Sequence, residues 1–321
     1  MADAYTGLSA VSVDQSAYDL AVYHSLRRNL HFDQIADVKS TAQSFEGAAV
    51  IFNIVADLTP ATATLNESTD VDAVAMSDSQ VTLTLLEKGG AVITTAKMRG
   101  TSYVPYDPVV ADVVSYWAAA SLDRLAGDVL AAGTNVRYAT GGTTDPTARN
   151  TVEPEDTITA ADTRRVLADL KAAFAMPFGE SYVAFMHPHV EYDLRAETGA
   201  GAWRTPHEYA QPGQIWAGET GMFEGTRYII NAAPSLLFAD AGSSTTLTDV
   251  YATLYVGKQA LAVAHSHSDG NGRYPAFVLG PVTDKLRRNV PVGWHWLGVH
   301  GRFREASLRR IDSSSSLGTN A

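Results

Sequence analysis

At 321 residues, with 45% hydrophobic and 18% charged residues, the chain is long enough for two domains or one elaborated one and has a globular composition. Its net charge of −11 argues against a protein built to grip phosphate backbones, because that affinity comes from Lys and Arg. The absence of cysteine excludes thiol nucleophiles, cysteine-bound zinc, iron–sulfur clusters and disulfides, and fits a reducing cytosol.

The opening MADAYTGLSAVSVDQ has neither a basic n-region nor an apolar h-region, so no secretory signal is expected, and residues 1–13 read as a loose arm. Asp14 caps an expected helix in which Tyr18, Val22, Leu26 and Leu30 form a narrow stripe, better suited to packing on another surface than to a core. Strands follow at 48–58 and 79–87. Val50, Phe52 and Ile54 alternate with Ile51, Asn53 and Val55, and Val81, Leu83 and Leu85 with Thr82 and Thr84. The Thr-, Ala- and Asp-rich stretch between them has no periodicity, so 46–88 reads as an extended two-stranded arm. Such a hairpin is marginal in water alone and needs a neighbour. The Gly89–Gly90 pair is expected to turn the chain into another strand at 91–98.

The segment 107–135 predicts a long helix. Asp107 suits its cap, Pro108 its first position and Gly133 a left-handed stop. Val110, Val114, Trp117, Ser121, Leu125 and Val129 recur every three or four residues, widened by Val113, Ala118 and Leu122, with Asp112, Ser115, Asp123 and Gly127 opposite. At 1.5 Å per residue this helix spans roughly 38 Å, a beam on which flatter elements can lie. Its longest uncharged stretch, Val113–Leu122, is far shorter than the twenty or so residues a membrane span needs.

A Gly-, Thr- and Pro-rich boundary comes next. Thr159 and Asp162 then form an expected capping box for a helix with Val166, Leu167, Leu170, Ala173 and Phe174 on its apolar face, stopped by Pro177. A strand at 181–186, a helix from 187 to 194, and strands at 226–231 and 249–256 complete an α+β block. The last block, 274–279 and 291–311, reads as strands around Trp294-His295-Trp296, and the tail DSSSSLGTNA has the composition of a disordered end.

Known catalytic signatures fail. His207-Glu208 lacks the second histidine of a zinc-protease helix, a calcium loop around 269–272 would put His267 and Val278 where its first and twelfth positions need carboxylates, Gly257-Lys258 lacks a P-loop frame, and no G-x-S-x-G is present. His187, His189, His265 and His267 leave a metal-dependent hydrolase as an alternative from another class. Charge placement is more telling. Between Ser40 and Glu87 there are seven acidic residues, Glu67, Asp70, Asp72 and Asp78 among them, and no Lys or Arg. Between Lys285 and Arg310 seven basic residues, including Arg287, Arg288, Arg302 and Arg304, face Glu305 alone. These eight named residues are the candidate inter-subunit contacts.

In order, the elements are an arm, an acidic hairpin, a long helix, an inserted α+β block and closing strands. Together with LDRLAGDVLAAGTNVRYA at 122–139, YVAFMHPHVEYDLRAETG at 182–199, GQIWAGETGMFEGTRYIINAAP at 213–234, DVYATLYVGKQAL at 249–261 and VGWHWLGVHGRFREASLRRI at 292–311, this order resembles the major capsid proteins of tailed bacteriophages, the Hong Kong 97-type fold. The resemblance implies an N-terminal arm at 1–45, an E-loop at 46–88, a P-domain at 89–156 carrying the spine helix 107–133, an axial A-domain at 157–261 and a return to the P-domain with the tail at 262–321. It implies a non-enzymatic shell subunit, without metal or cofactor, that assembles in the host bacterial cytoplasm into the hexamers and pentamers of an icosahedral virion. A portal protein and separate scaffolding or decoration proteins would be its partners. It would enclose DNA without reading its sequence, and no membrane is involved. An encapsulin-type nanocompartment shell is the alternative within the fold. Fewer than fifty residues precede the hairpin, so a fused scaffold of the size some relatives carry is not expected, and a separate scaffold or none is. The hairpin tip 59–78 has no Lys, so the Lys–Asn cross-link of some relatives is not carried over.

Overall fold

The computed structural model describes residues 27, 29–40, 48–65, 67–68, 70–102, 106–196, 219–245, 247–266, 274–280, 286 and 288–318. The expected arm, the start of the helix after Asp14 and the motifs at 207–208 and 269–272 lie outside these residues. Leu30, at the far end of that expected helix, is not helical. No described helix is long and apolar enough to cross a membrane.

One helix carries two sheets. Helix α1 (Ala96–Thr101) precedes the spine, α2 (Tyr106–Ala131), a 26-residue helix and so roughly 39 Å long. The N-terminal half of α2 packs through Val114 and Ala118 on Val263, Trp294 and Trp296. Those residues belong to a five-stranded sheet of β1 (Asp37–Ser40), β4 (Leu86–Thr95), β11 (Leu261–His265), β12 (Ala276–Leu279) and β13 (Asn289–Arg302). The C-terminal half packs through Ala126 and Leu130 on Phe185, Leu254 and Leu308. These belong to a seven-stranded sheet in the order β5 (Val136–Tyr138), β14 (Leu308–Ser313), β10 (Val250–Val256), β6 (Tyr182–Met186), β8 (Thr226–Ile230) and β7 (Glu219–Phe223), with β9 (Leu237–Phe238) also on β10.

Both faces of the larger sheet are covered, and that explains the buried run of β10. Ala252, Leu254 and Val256 face the spine, while Tyr251 and Tyr255 face α3 (Ala160–Ala172) and α4 (Pro188–Ala196). Each fully buried side chain of this size contributes roughly 1.5–3 kcal/mol. Burial removes Tyr255 from water and pushes its hydroxyl up to about 12, where it stays protonated and shares hydrogen bonds with Tyr228 and Thr163. The capping box opens α3 as expected, Thr159 accepting from the Asp162 N–H at 3.2 Å.

Several expectations are corrected. The spine is not apolar on one side and polar on the other: Val113 and Trp117 are over 40% exposed, whereas Asp123 and Gly127 are buried. Asp123 Oδ1 accepts the backbone N–H groups of His31 and Phe32, each at 3.0 Å, and a side chain at position 127 would collide with Phe32 and Ser235. The incoming chain thus needs a carboxylate and a gap where periodicity reads a solvent face. Gly89 and Gly90 do not turn the chain. They lie inside β4, paired with His295 and Trp294 of β13, because a Cβ there would strike the Trp294 carbonyl and the Trp117 ring. The following strand therefore starts earlier than expected and ends at Thr95, where α1 begins. Gly133 is not left-handed; its place is set by close approach to Leu308. Phe174 is not on the apolar face of α3 but is 91% exposed.

The tail is the largest correction. Asp312, Ser313, Ser314 and Ser315 are buried, and β14 is an inner strand between β5 and β10. Asp312 answers two cations, Arg310 at 2.8 Å and Arg149 at 3.0 Å, while Ser314 donates to the Pro154 carbonyl and Ser315 to that of His189. Composition signalled disorder because serine is small and polar, but here the hydroxyls of Ser314 and Ser315 satisfy backbone carbonyls.

Candidate assembly interface

The hairpin is built from β2 (Ala49–Val55) and β3 (Asp78–Thr84), paired antiparallel from Ala49 with Thr84 to Val55 with Asp78. Alternation puts Val50, Phe52 and Leu83 on one face, and that face lies on Ala262, Ala264 and Val299 of the five-stranded sheet and on Phe303 just past its β13 strand. The Phe52 and Phe303 rings are 5.2 Å apart, and the Lys39 ammonium sits 5.0 Å over the Phe52 ring while donating to the Ile51 carbonyl at 2.7 Å. These contacts fix the base.

Beyond the base, among the described residues, the arm's apolar side chains stand exposed. Val55, Leu58, Leu65, Val71, Val74 and Met76 are each more than half exposed, a concentration of apolar surface that marks an interaction site. Glu67, Asp70, Asp72 and Asp78 are exposed along the same segment.

The basic candidates separate. Arg288 is exposed at the entry to β13, Arg304 is partly buried with its guanidinium 5.8 Å from the Phe303 ring, and Arg287 lies outside the described residues. Arg302 is already engaged, at 2.8 Å from Glu305 and donating to the Val129 carbonyl. Arg310, counted in the same basic run, is buried with Asp312; burial lowers its affinity for the proton and the neighbouring carboxylate opposes that shift. Among the described residues no ion pair joins the four hairpin acids to these arginines within the chain.

The histidines form no metal centre among the described residues. His187 and His189 rings are 4.7 Å apart beside Tyr251, and the His189 Nδ1 is 2.9 Å from the Tyr251 hydroxyl. Burial, aided by His189, lowers His187 to about 4, and its Nδ1 accepts the His189 backbone N–H, a bond only the unprotonated atom can make. His265 is buried on β11, and His267 lies outside the described residues.

A model of the phage capsid protein family matches residues 29–317. The chain belongs to that family. The solved capsid of Ralstonia phage GP4 superposes with a TM-score of 0.76 at 16% identity, covering 98% of both chains. The capsid asymmetric unit of cyanophage Pam1 gives 0.70 at 12% identity over 98% of this chain and 100% of that one. The capsid of cyanophage P-SCSP1u gives 0.66 at 14% identity over 97% and 96%. A search of curated proteins finds no match. This capsid protein is a structural component of the virion, with a mixed α and β capsid fold, and neither the encapsulin nor the hydrolase alternative is favoured.

Proposed function

We propose that this capsid protein closes the icosahedral head of a tailed phage by laying its hairpin on the next copy. Residues 46–88 act as the E-loop, 89–156 with the spine as the P-domain, 157–261 as the axial A-domain, and 262–321 as the return and tail, with β14 stitched into the sheet of the A-domain. The carrying observation is the hairpin: anchored at its base, apolar and acidic beyond it, and exposed there among the described residues. Glu67, Asp70, Asp72 and Asp78 of one copy meet the basic segment holding Arg287, Arg288, Arg302 and Arg304 of another, in pentamers and hexamers built from repeated contacts. A portal protein and separate scaffolding or decoration proteins complete the particle. The negative net charge weakly repels the enclosed DNA, so the container does not trap its contents.

Electron microscopy and sedimentation of the purified protein, at low and high salt, test this reading. Closed particles or capsomer rings are expected; a monomer under every condition, with or without added scaffold, contradicts it. Charge exchange tests the contact itself. Asp70→Lys with Asp72→Lys should abolish assembly, and Arg288→Glu with Arg304→Glu in the same chain should restore part of it; no restoration means the acids are read by another surface.

A further inference from the structure

Phe174 is the most exposed large hydrophobic residue among the described ones, at 91%, and it sits at φ 54°, in the left-handed region that glycine ordinarily takes. Its position explains the backbone. The Ala175 N–H donates to the Leu170 carbonyl at 3.0 Å and the Phe174 N–H to that of Lys171 at 3.1 Å, the paired bonds that end α3 with one left-handed residue between them. Nothing in that geometry asks for a phenyl ring. The fold would be served better by glycine, and the ring gains almost no burial within its own chain.

The surroundings say what the ring would meet. Met176, two residues on, is 55% exposed, and its carbonyl accepts the Lys258 N–H at 2.7 Å. Gln259, next in the chain, accepts the Arg304 N–H at 2.9 Å, so the corner is continuous with the basic segment. Lys171 and Lys258 are exposed beside the two apolar side chains, with Asp37 near Lys258 offsetting part of their charge. The complement is an apolar, acidic surface without Lys or Arg, and this chain carries one in its hairpin.

We propose that Phe174 is an assembly anchor: together with Met176, Lys171 and Lys258 it receives a second copy of this chain through the acidic, apolar hairpin of that copy. The proposal rests on the shell reading and extends the acceptor surface beyond the arginines. Backbone strain at an exposed aromatic is retained because the ring is buried only between copies.

The test compares the full-length chain with Phe174→Gly and Phe174→Leu, reading the melting temperature of unassembled protein and the yield of particles by sedimentation and electron microscopy. Phe174→Gly should melt at the same temperature or up to about 2 °C higher. Its particle yield should fall about tenfold or more, and Phe174→Leu should recover most of it. A glycine variant that assembles like the parent overturns the proposal. So does one whose melting temperature drops, because the ring would then serve the fold. Failure of the parent chain itself to assemble overturns the shell reading instead, and this inference with it.

Discussion

Strands β3 and β10 are both seven residues long and both alternate apolar side chains, yet β10 buries all seven while β3 buries only Leu83. The difference lies in the intervening residues. Thr82 and Thr84 of β3 leave one face wettable, whereas Tyr251 and Tyr255 of β10 give the second face aromatic area to cover. Doubly covered strands hold the molecule together. The singly covered hairpin is a graft on its surface, with its remaining apolar side chains left exposed.

Removing the graft breaks this contrast most severely. Replacing residues 56–77 with an Asn-Gly turn joins Val55 to Asp78 at their observed pairing, and should leave the melting temperature within about 2 °C while abolishing particles in electron micrographs. If the monomer instead unfolds, the arm supports the body. The body should answer oppositely. Phe185→Ala, in the fully buried β6 at 4.8 Å from Phe32, should cost about 3–5 kcal/mol in denaturant unfolding, against about 0.5 kcal/mol for Val55→Ala in the hairpin.

Asp312→Ala probes the buried tail and should cost about 3–5 kcal/mol, because Arg310 is left in the interior without its carboxylate. Equal stability would place the tail outside the cooperative core. The smallest effect is on pH. His187 binds its proton near pH 6.5 when unfolded and near 4 when folded, so its neutral form contributes fully above 6.5, and that contribution is lost as pH falls from 6.5 to 4. Melting temperatures across this range should decline less steeply in His187→Asn than in the parent; parallel slopes would remove His187 from the acid response.

Much of the body was legible because local chemistry and tertiary fate agree there. Thr159 and Asp162 form their capping box, and the spine extends over nearly its expected length. The candidate surface was half legible: an acid-rich segment without Lys or Arg shows in the sequence, but the division of the arginines between surface and interior does not. Phe174 carried a misleading signal, since helical spacing puts it with Leu167 and Leu170 while the helix ends two residues before it.

The sequence by itself determined which segments become helix or strand, wherever periodicity, caps and β-branched runs suffice, and it set the acidity of the arm. Only the tertiary structure decided that Asp123 and Gly127 face inward, that Gly89 and Gly90 lie in a strand, and that a serine-rich tail is buried. In each case a backbone or side chain from elsewhere in the chain arrives at that position. It demands a missing Cβ, a hydrogen-bond acceptor or a small hydroxyl, and no local pattern reports its approach.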